Sequence, residues 1–298
     1  MKTHSMVTIL FVVFLSAACA SAQNMNSNHM DHGSGPGPAV ISETQDWAKQ
    51  RLAKSPRHQE WVKVKNGNRE VSSFLVYPEA KGKATAVVVI HEIFGMSDWV
   101  QSLTDQLAEA GYIAIAPDLL SGMGPNGGGT NEIRATDTNA VGKAIRDLPP
   151  DQITGDLNAV ADYVSKLAGA NGKVVVAGFC WGGSQTFRYA TNNPKLKAAF
   201  VFYGSAPAKE QEVDKEALAR IGAPVYGFYA GNDARINATL PKTTDAMKEL
   251  GKKYDPVTYE GAGHGFMRAG EDPANTVEAN KKARDEAWKR WKEILGKI

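Results

Sequence analysis

The stretch KVVVAGFCWGGSQTF, residues 173–187, decides how this chain is read. Val174 to Phe179 form an unbroken apolar run, the mark of a strand buried on both faces of a sheet. The residues from Gly182 onward carry helical spacing instead. No loop separates the two, so the backbone has to reverse within a residue or two. Gly178 and Gly182 flank the turn, where a β-carbon would meet the returning chain. Cys180 stands at its tip, and the N–H of Trp181 lies at a helix N-terminus, where it can hold a developing negative charge. The pattern G-x-C-x-G has the layout of G-x-S-x-G, with a thiol replacing a hydroxyl. Alone, it fits two readings: a glycine turn with an incidental thiol, or a turn that presents a nucleophile.

Outward from this turn the chain alternates strands and helices. TAVVVIHE (85–92), YIAIAPDLL (112–120), KAAFVFYG (197–204) and PVYGFYAG (224–231) read as buried strands, and PVTYE (256–260) as another. WVQSLTDQLAEAGY (99–112) has helical spacing and a stop at Gly111. Residues 131–147 and 151–167 read as two helices split by Pro149-Pro150, and residues 182–192, 240–250 and 275–295 as three more. EWVKV and EVSSFLVYP flank Asn66-Gly67-Asn68, a hairpin signal. SGMGPNGGG (121–129) cannot hold regular structure and reads as a mobile loop. Such alternation predicts an α/β fold, a mostly parallel sheet with helices on both faces. The last helix sets Trp288, Trp291, Ile294 and Leu295 beside Lys282, Lys289, Arg290 and Lys292. It reads as packed on the sheet, with a membrane-surface role as the rival.

Composition narrows the function. Among 298 residues, 34 Lys and Arg face 32 Asp and Glu, a formal charge of +2 with no basic run. That balance argues against nucleic acid as a partner. Lys2, a short apolar run and Ala20-Ser21-Ala22 have the layout of a secretory signal peptide cleaved before Gln23. The expected organisation is a signal peptide over 1–22, a flexible linker over 23–45 and one α/β domain over 46–298. The expected location is the periplasm or the exterior, without stable membrane insertion. Lipidation of Cys19 is the alternative, though Ser16 stands where a lipobox wants a branched apolar residue. Met25, His29, Met30 and His32 read as a solvated tail, with weak binding of soft metal ions as the rival. Cleavage would leave Cys180 as the one cysteine, inert or kept for chemistry.

Two later segments bear on that choice. An open α/β sheet builds its sites at C-terminal strand ends, in the order nucleophile, acid, histidine. YAGNDARIN presents Asp233 after one strand, and YEGAGHGFM presents His264 after the next. His264 is the one histidine beyond Cys180. Asp214 and Asp255 compete with Asp233, but neither directly follows a strong strand. Cys180, Asp233 and His264 thus form a candidate nucleophile, acid and base.

GFCWGG, GNDAR, AGHGFMR and HEIFG together resemble the dienelactone hydrolase family of α/β-hydrolases, over about residues 60–295 of this chain. The resemblance implies the α/β-hydrolase fold and cofactor-free cleavage of a small ester or lactone through a thiol acyl-enzyme. It makes Cys180 the nucleophile, His264 the base and then the acid, and Asp233 the orienting carboxylate. It implies that Glu92 contacts the cysteine and that Ile93 supplies a second oxyanion N–H. A carboxylate near a thiol would oppose its ionisation until substrate arrives. Arg268 matches an arginine that holds a substrate carboxylate, which suits an anionic substrate. A second such arginine is expected between the central strands, and Arg134 is the candidate. Other substrates on the same machinery are the nearest rivals: carboxylic esters, thioesters or peptides. A non-catalytic binding protein and a redox-responsive thiol protein are the others.

Overall fold

The apolar runs of the chain fold as strands, and the amphipathic segments fold as helices that link the parallel strands. The computed structural model describes residues 45–79 and 82–298. The expected signal peptide with its cleavage site, Cys19, the histidine-methionine tail and all of the expected linker but Gln45 lie outside the described residues. In chain order the elements are α1 (Asp46–Ala53), β1 (Gln59–Asn66), β2 (Arg69–Val76), β3 (Ala84–Ile90), α2 (Asp98–Glu109), β4 (Ile113–Pro117), α3 (Thr130–Thr136), α4 (Thr138–Arg146) and α5 (Pro150–Ser165). Then follow β5 (Ala170–Phe179), α6 (Trp181–Asn192), β6 (Ala199–Phe202), β7 (Ala208–Lys209), β8 (Glu212–Val213), α7 (Lys215–Ala219) and β9 (Val225–Ala230). The last elements are α8 (Ala234–Asn237), α9 (Leu240–Glu249), β10 (Tyr254–Tyr259), α10 (Phe266–Ala269) and α11 (Glu278–Leu295).

Eight strands form one sheet in the order β1-β2-β4-β3-β5-β6-β9-β10. β1 and β2 pair antiparallel around Gly67, whose φ of 57° opens the two-residue turn, and β2 also runs antiparallel to β4. From β4 to β10 all neighbours are parallel. β3 and β4 are buried along their whole length, so their side chains alternate between two cores. Val88 and Ile90 face α5 and α6 through Leu157, Val160 and Phe187. Val87 and Val89 face α2 and α11 through Trp99, Leu103 and Trp291. On α11 the buried stripe Ala283, Ala287, Trp291 and Leu295 recurs every fourth residue, so this helix packs on the sheet. Truncating Trp291 to alanine would cost about 3–5 kcal/mol. Among the described residues no helix is long and apolar enough to cross a membrane.

The structure departs from the sequence reading in four places. Residues 131–147 are not one helix: Asp137 is extended (φ −161°, ψ 125°), and its carboxylate accepts from Asn139 N and caps α4. The glycine-rich segment 121–129 is irregular, as its composition requires, yet it is stitched rather than loose. Glu132 accepts from the amides of Asn126 and Gly128, and Asp118 accepts from Thr130 N and Oγ1. The helix α1 and the excursion β7–β8–α7 were not expected, being short and weakly periodic. Gln45, assigned to the linker, is docked, its side chain accepting from Trp99 N at 2.8 Å.

Candidate active site

β5 runs straight into α6, and Cys180 absorbs the whole reversal. Its φ of 56° and ψ of −116° lie where a residue with a β-carbon is strained. The surroundings hold it there. Cys180 N donates to Phe202 O at 3.1 Å, and Cys180 O accepts from Ser184 N at 3.2 Å. A β-carbon on Gly178 would overlap the Gly182 carbonyl, and one on Gly182 would overlap the carbonyls of Ile90 and His91. The glycines therefore let the turn press against the end of β3. Since Gly178 pairs with Ile90, residues 91–93 leave β3 beside residues 180–181 leaving β5. β3 has β4 on one side and β5 on the other, so this crevice is the switch point of the sheet. Trp181 opens α6, so its N–H has no acceptor within the helix. Ile93 lies on the loop beside it.

The candidate acid and base come from the next two strand ends on the far side of β6. Gly231 N donates to Tyr259 O, Asn232 N to Ala262 O and Asn232 Nδ2 to Gly261 O, so the loops after β9 and β10 are sewn together. Asp233 Oδ1 accepts from Ile236 N and caps α8; Oδ2 lies 2.5 Å from Nδ1 of His264. The His264 loop is pinned in turn by Gly263 N, which donates to Asn280 of α11 at 2.8 Å. Burial pulls the His264 pKa down, but the bond to Asp233 and the neighbouring Cys180 sulfur outweigh it and push it up to about 9. Burial opposes ionisation of Asp233, yet the bond and charge of His264 hold its pKa below the ordinary value. The imidazole thus carries its proton through the neutral range.

Glu92 is buried and pairs with Arg268, whose Nε donates to Oε2 at 2.7 Å. The sequence reading gave these residues separate tasks, one beside the cysteine and one for substrate. The structure joins them across 176 positions of chain. Arg268 also lies 5.2 Å from the centre of the Phe94 ring. Among the described residues only its Nε has a partner, so both Nη groups stay open. Arg134 reaches the other side of the same loop: Nη2 donates to Phe94 O at 2.8 Å and Nη1 to Asn131 at 3.0 Å. With Arg146, Ile93 and Phe94 it lines a cavity of about 270 Å³. A larger cleft, about 1040 Å³, lies under the glycine-rich loop against Trp61 and Met96.

Two residues that the sequence reading passed over stand at this site. His91, inside the quoted HEIFG, is fully buried and stacked on Trp181 (5.5 Å, 14°). Nδ1 lies 2.9 Å from Glu92 O, and burial lowers its pKa, so it stays neutral and donates there. It braces the residue that follows Cys180. Tyr203, at the end of β6, is fully buried with a φ of 40°. Its ring packs edge-on against His264 at 5.0 Å. Its hydroxyl has no partner among the described residues. The run FVFYG gives no hint of that backbone.

Over most of its length the chain is similar to known proteins. The model of the dienelactone hydrolase family matches residues 71–298. A relative from Saccharolobus solfataricus, provisionally named a carboxymethylenebutenolidase, is 31% identical over 258 residues, covering 77% of this chain and 95% of its own. A relative of the same provisional name from Salmonella typhi is 33% identical over 205 residues, or 66% of this chain and 73% of its own. Among solved structures, a provisionally named dienelactone hydrolase from Klebsiella pneumoniae is similar at 27% identity and a TM-score of 0.68. That likeness covers 81% of this chain and 99% of the other.

Proposed function

The chain belongs to the dienelactone hydrolase family and is an ester-bond hydrolase, and from that premise we propose that it cleaves a small carboxylic ester or lactone through an acyl-enzyme on Cys180. The observation that carries this reading is the short bond between His264 and Asp233 on loops that share the strand-end surface with the Cys180 turn. His264, held protonated up to about pH 9, is the natural counter-ion of a thiolate. Cys180 Sγ attacks the carbonyl carbon, and the oxygen gathers negative charge between the N–H groups of Trp181 and Ile93. As the tetrahedral species collapses, the C–O bond breaks and His264 gives its proton to the leaving alkoxide. Neutral imidazole then takes a proton from water, and the hydroxide cleaves the thioester. The thiolate leaves, and the acid product and imidazolium remain. Asp233 keeps Nδ1 as the donor to itself throughout, so Nε2 faces the chemistry.

The open Nη groups of Arg268 favour a substrate that carries a carboxylate near its ester, because a planar fork holds a carboxylate at two points. Arg134 bears on the same loop from the far side and is the second candidate for that charge. Export belongs to the proposal too, resting on Lys2, the apolar run and Ala20-Ser21-Ala22. N-terminal mass analysis of the native protein should find Gln23 first; an uncleaved Met1 or a lipid on Cys19 would refute it. For the reaction, purified protein should turn over activated aryl esters and lactones, with Cys180→Ala inactive. Retained turnover in that variant would exclude Cys180 as the nucleophile. Preference for thioesters or peptides over oxygen esters in the same panel would reassign the substrate class.

A further inference from the structure

Tyr203 combines three features that a purely structural tyrosine seldom shares. Its backbone sits at a φ of 40°, a region unfavourable to a bulky side chain. It is held there because Tyr203 N donates to Phe228 O at 2.8 Å, while Gly204 lies so close to the α6 turn that a β-carbon would overlap Gly183. Its ring is clamped edge-on by His264 at 5.0 Å and Phe266 at 5.3 Å. At the end of this rigid arm is a hydroxyl that is wholly buried and unpartnered among the described residues. Leaving such a group without a bond costs stability, so an orphan of this kind calls for a use. Burial, and next the charge of Glu92, raise the ionisation of the phenol well above the ordinary value, with weaker effects from Arg268 and Cys180. The hydroxyl therefore keeps its proton, is a donor, and sits among the charges of the site.

We infer that Tyr203 is a positioning residue whose hydroxyl donates to the Glu92 carboxylate when Arg268 engages an anionic substrate. The inference rests on the carboxylate-binding reading of Arg268 given above. In the free enzyme Glu92 has one charged partner, through Nε alone. A substrate carboxylate on the Nη groups brings a second anion to the same guanidinium, beside a Glu92 side chain buried from solvent. Glu92 then needs another donor, and Tyr203 holds one ready. The neutral ester makes no such demand.

The test is Tyr203→Phe, which keeps the ring on His264 and removes only the oxygen. Two aryl esters of matched size serve as probes, one bearing a carboxylate and one a carboxamide. The kcat/KM ratio of anionic to neutral ester should fall on the order of tenfold or more, mainly through KM, since a hydrogen bond to a charged group is lost. The unfolding midpoint should hold or rise, because an unsatisfied buried hydroxyl has gone. Equal losses on both esters, or a lower midpoint, would overturn the inference. Arg268→Met separates it from its premise. If that variant loses both esters equally, the carboxylate reading itself falls. If it is selective for the anion while Tyr203→Phe is not, the role of Tyr203 alone is wrong.

Discussion

Arg268 and Arg284 each hold a buried glutamate, and the two pairs have matching depth. Side-chain exposure is 13% and 2% for Arg268 and Glu92, and 13% and 5% for Arg284 and Glu271. Their hydrogen bonding differs. Arg284 donates to Glu271 Oε1 through both Nε (2.9 Å) and Nη2 (2.6 Å), and Nη2 also reaches Gln106. Gln106 Nε2 closes the ring on Glu271 Oε2 at 3.0 Å. Both oxygens of Glu271 and the Nε and Nη2 groups of Arg284 are engaged, Nη1 reaches Asp285 at 3.4 Å, and α2 is bolted to α11. Arg268 gives Glu92 one bond, and among the described residues its two Nη nitrogens have no partner. The lesson is that residue types and burial do not tell the two pairs apart. Unused valence does.

The largest break in that comparison comes from removing what the open pair would serve. Cys180→Ala and His264→Ala should each lower ester turnover on the order of 10³-fold or more, and the double variant should be little worse than either. Neither should disturb the Arg284 ring. Full activity in a single variant, read in a steady-state esterase assay, would detach the open pair from catalysis. Next is the closed pair. Arg284→Met strands Glu271 and should cost about 3–5 kcal/mol in chemical denaturation, with kcat per folded molecule preserved. A stable but inactive variant would mean that the bolt acts in the chemistry.

A smaller effect separates the two members of the open pair. Glu92→Gln leaves Arg268 unbalanced near Cys180 and should speed alkylation by iodoacetamide, on the order of three- to tenfold at neutral pH. Arg268→Met leaves Glu92 unbalanced and should slow it. Shifts in the same direction would show that the pair acts by packing rather than by charge.

The smallest effect is a pH displacement. Above about 9 the His264 proton is lost, so kcat/KM should fall on that limb. Asp233→Asn removes the anion that holds the proton and should move the limb to lower pH. The sign for stability follows. The folded pKa lies above the ordinary 6.5, so the contribution is full below about 6.5 and disappears as pH rises through about 9. Unfolding midpoints measured over that interval should decline, and less so in His264→Ala. A flat profile in the parent protein would contradict the raised value.

The core of the fold was legible because β3, β4, β6 and β9 are buried along their whole length and β5 from Val174 onward, and two-sided burial leaves few other readings. The turn at Cys180 was legible because glycine is a backbone statement: Gly178 and Gly182 mark a close approach wherever they recur. What escaped depends on distance along the chain or on one dihedral. Nothing local to Glu92 or Arg268 announces a contact between them. Tyr203 follows three ordinary strand residues, and its strain exists only because Phe228 and the α6 turn surround it. The break at Asp137 was hidden because a capping aspartate inside a polar helix looks like any exposed residue.

The seam between the loops after β9 and β10 has a consequence for how the site comes apart. Since Gly231 and Asn232 bond to the other loop, neither loop can swing open without releasing its neighbour. Asp233 and His264 therefore share one local opening equilibrium, not two. Amide hydrogens along the seam should exchange with deuterium as a single unit, at one common free energy. Separate exchange free energies for the two loops would contradict this coupling. On that coupling, fluctuations should part Asp233 and His264 together and rejoin them together.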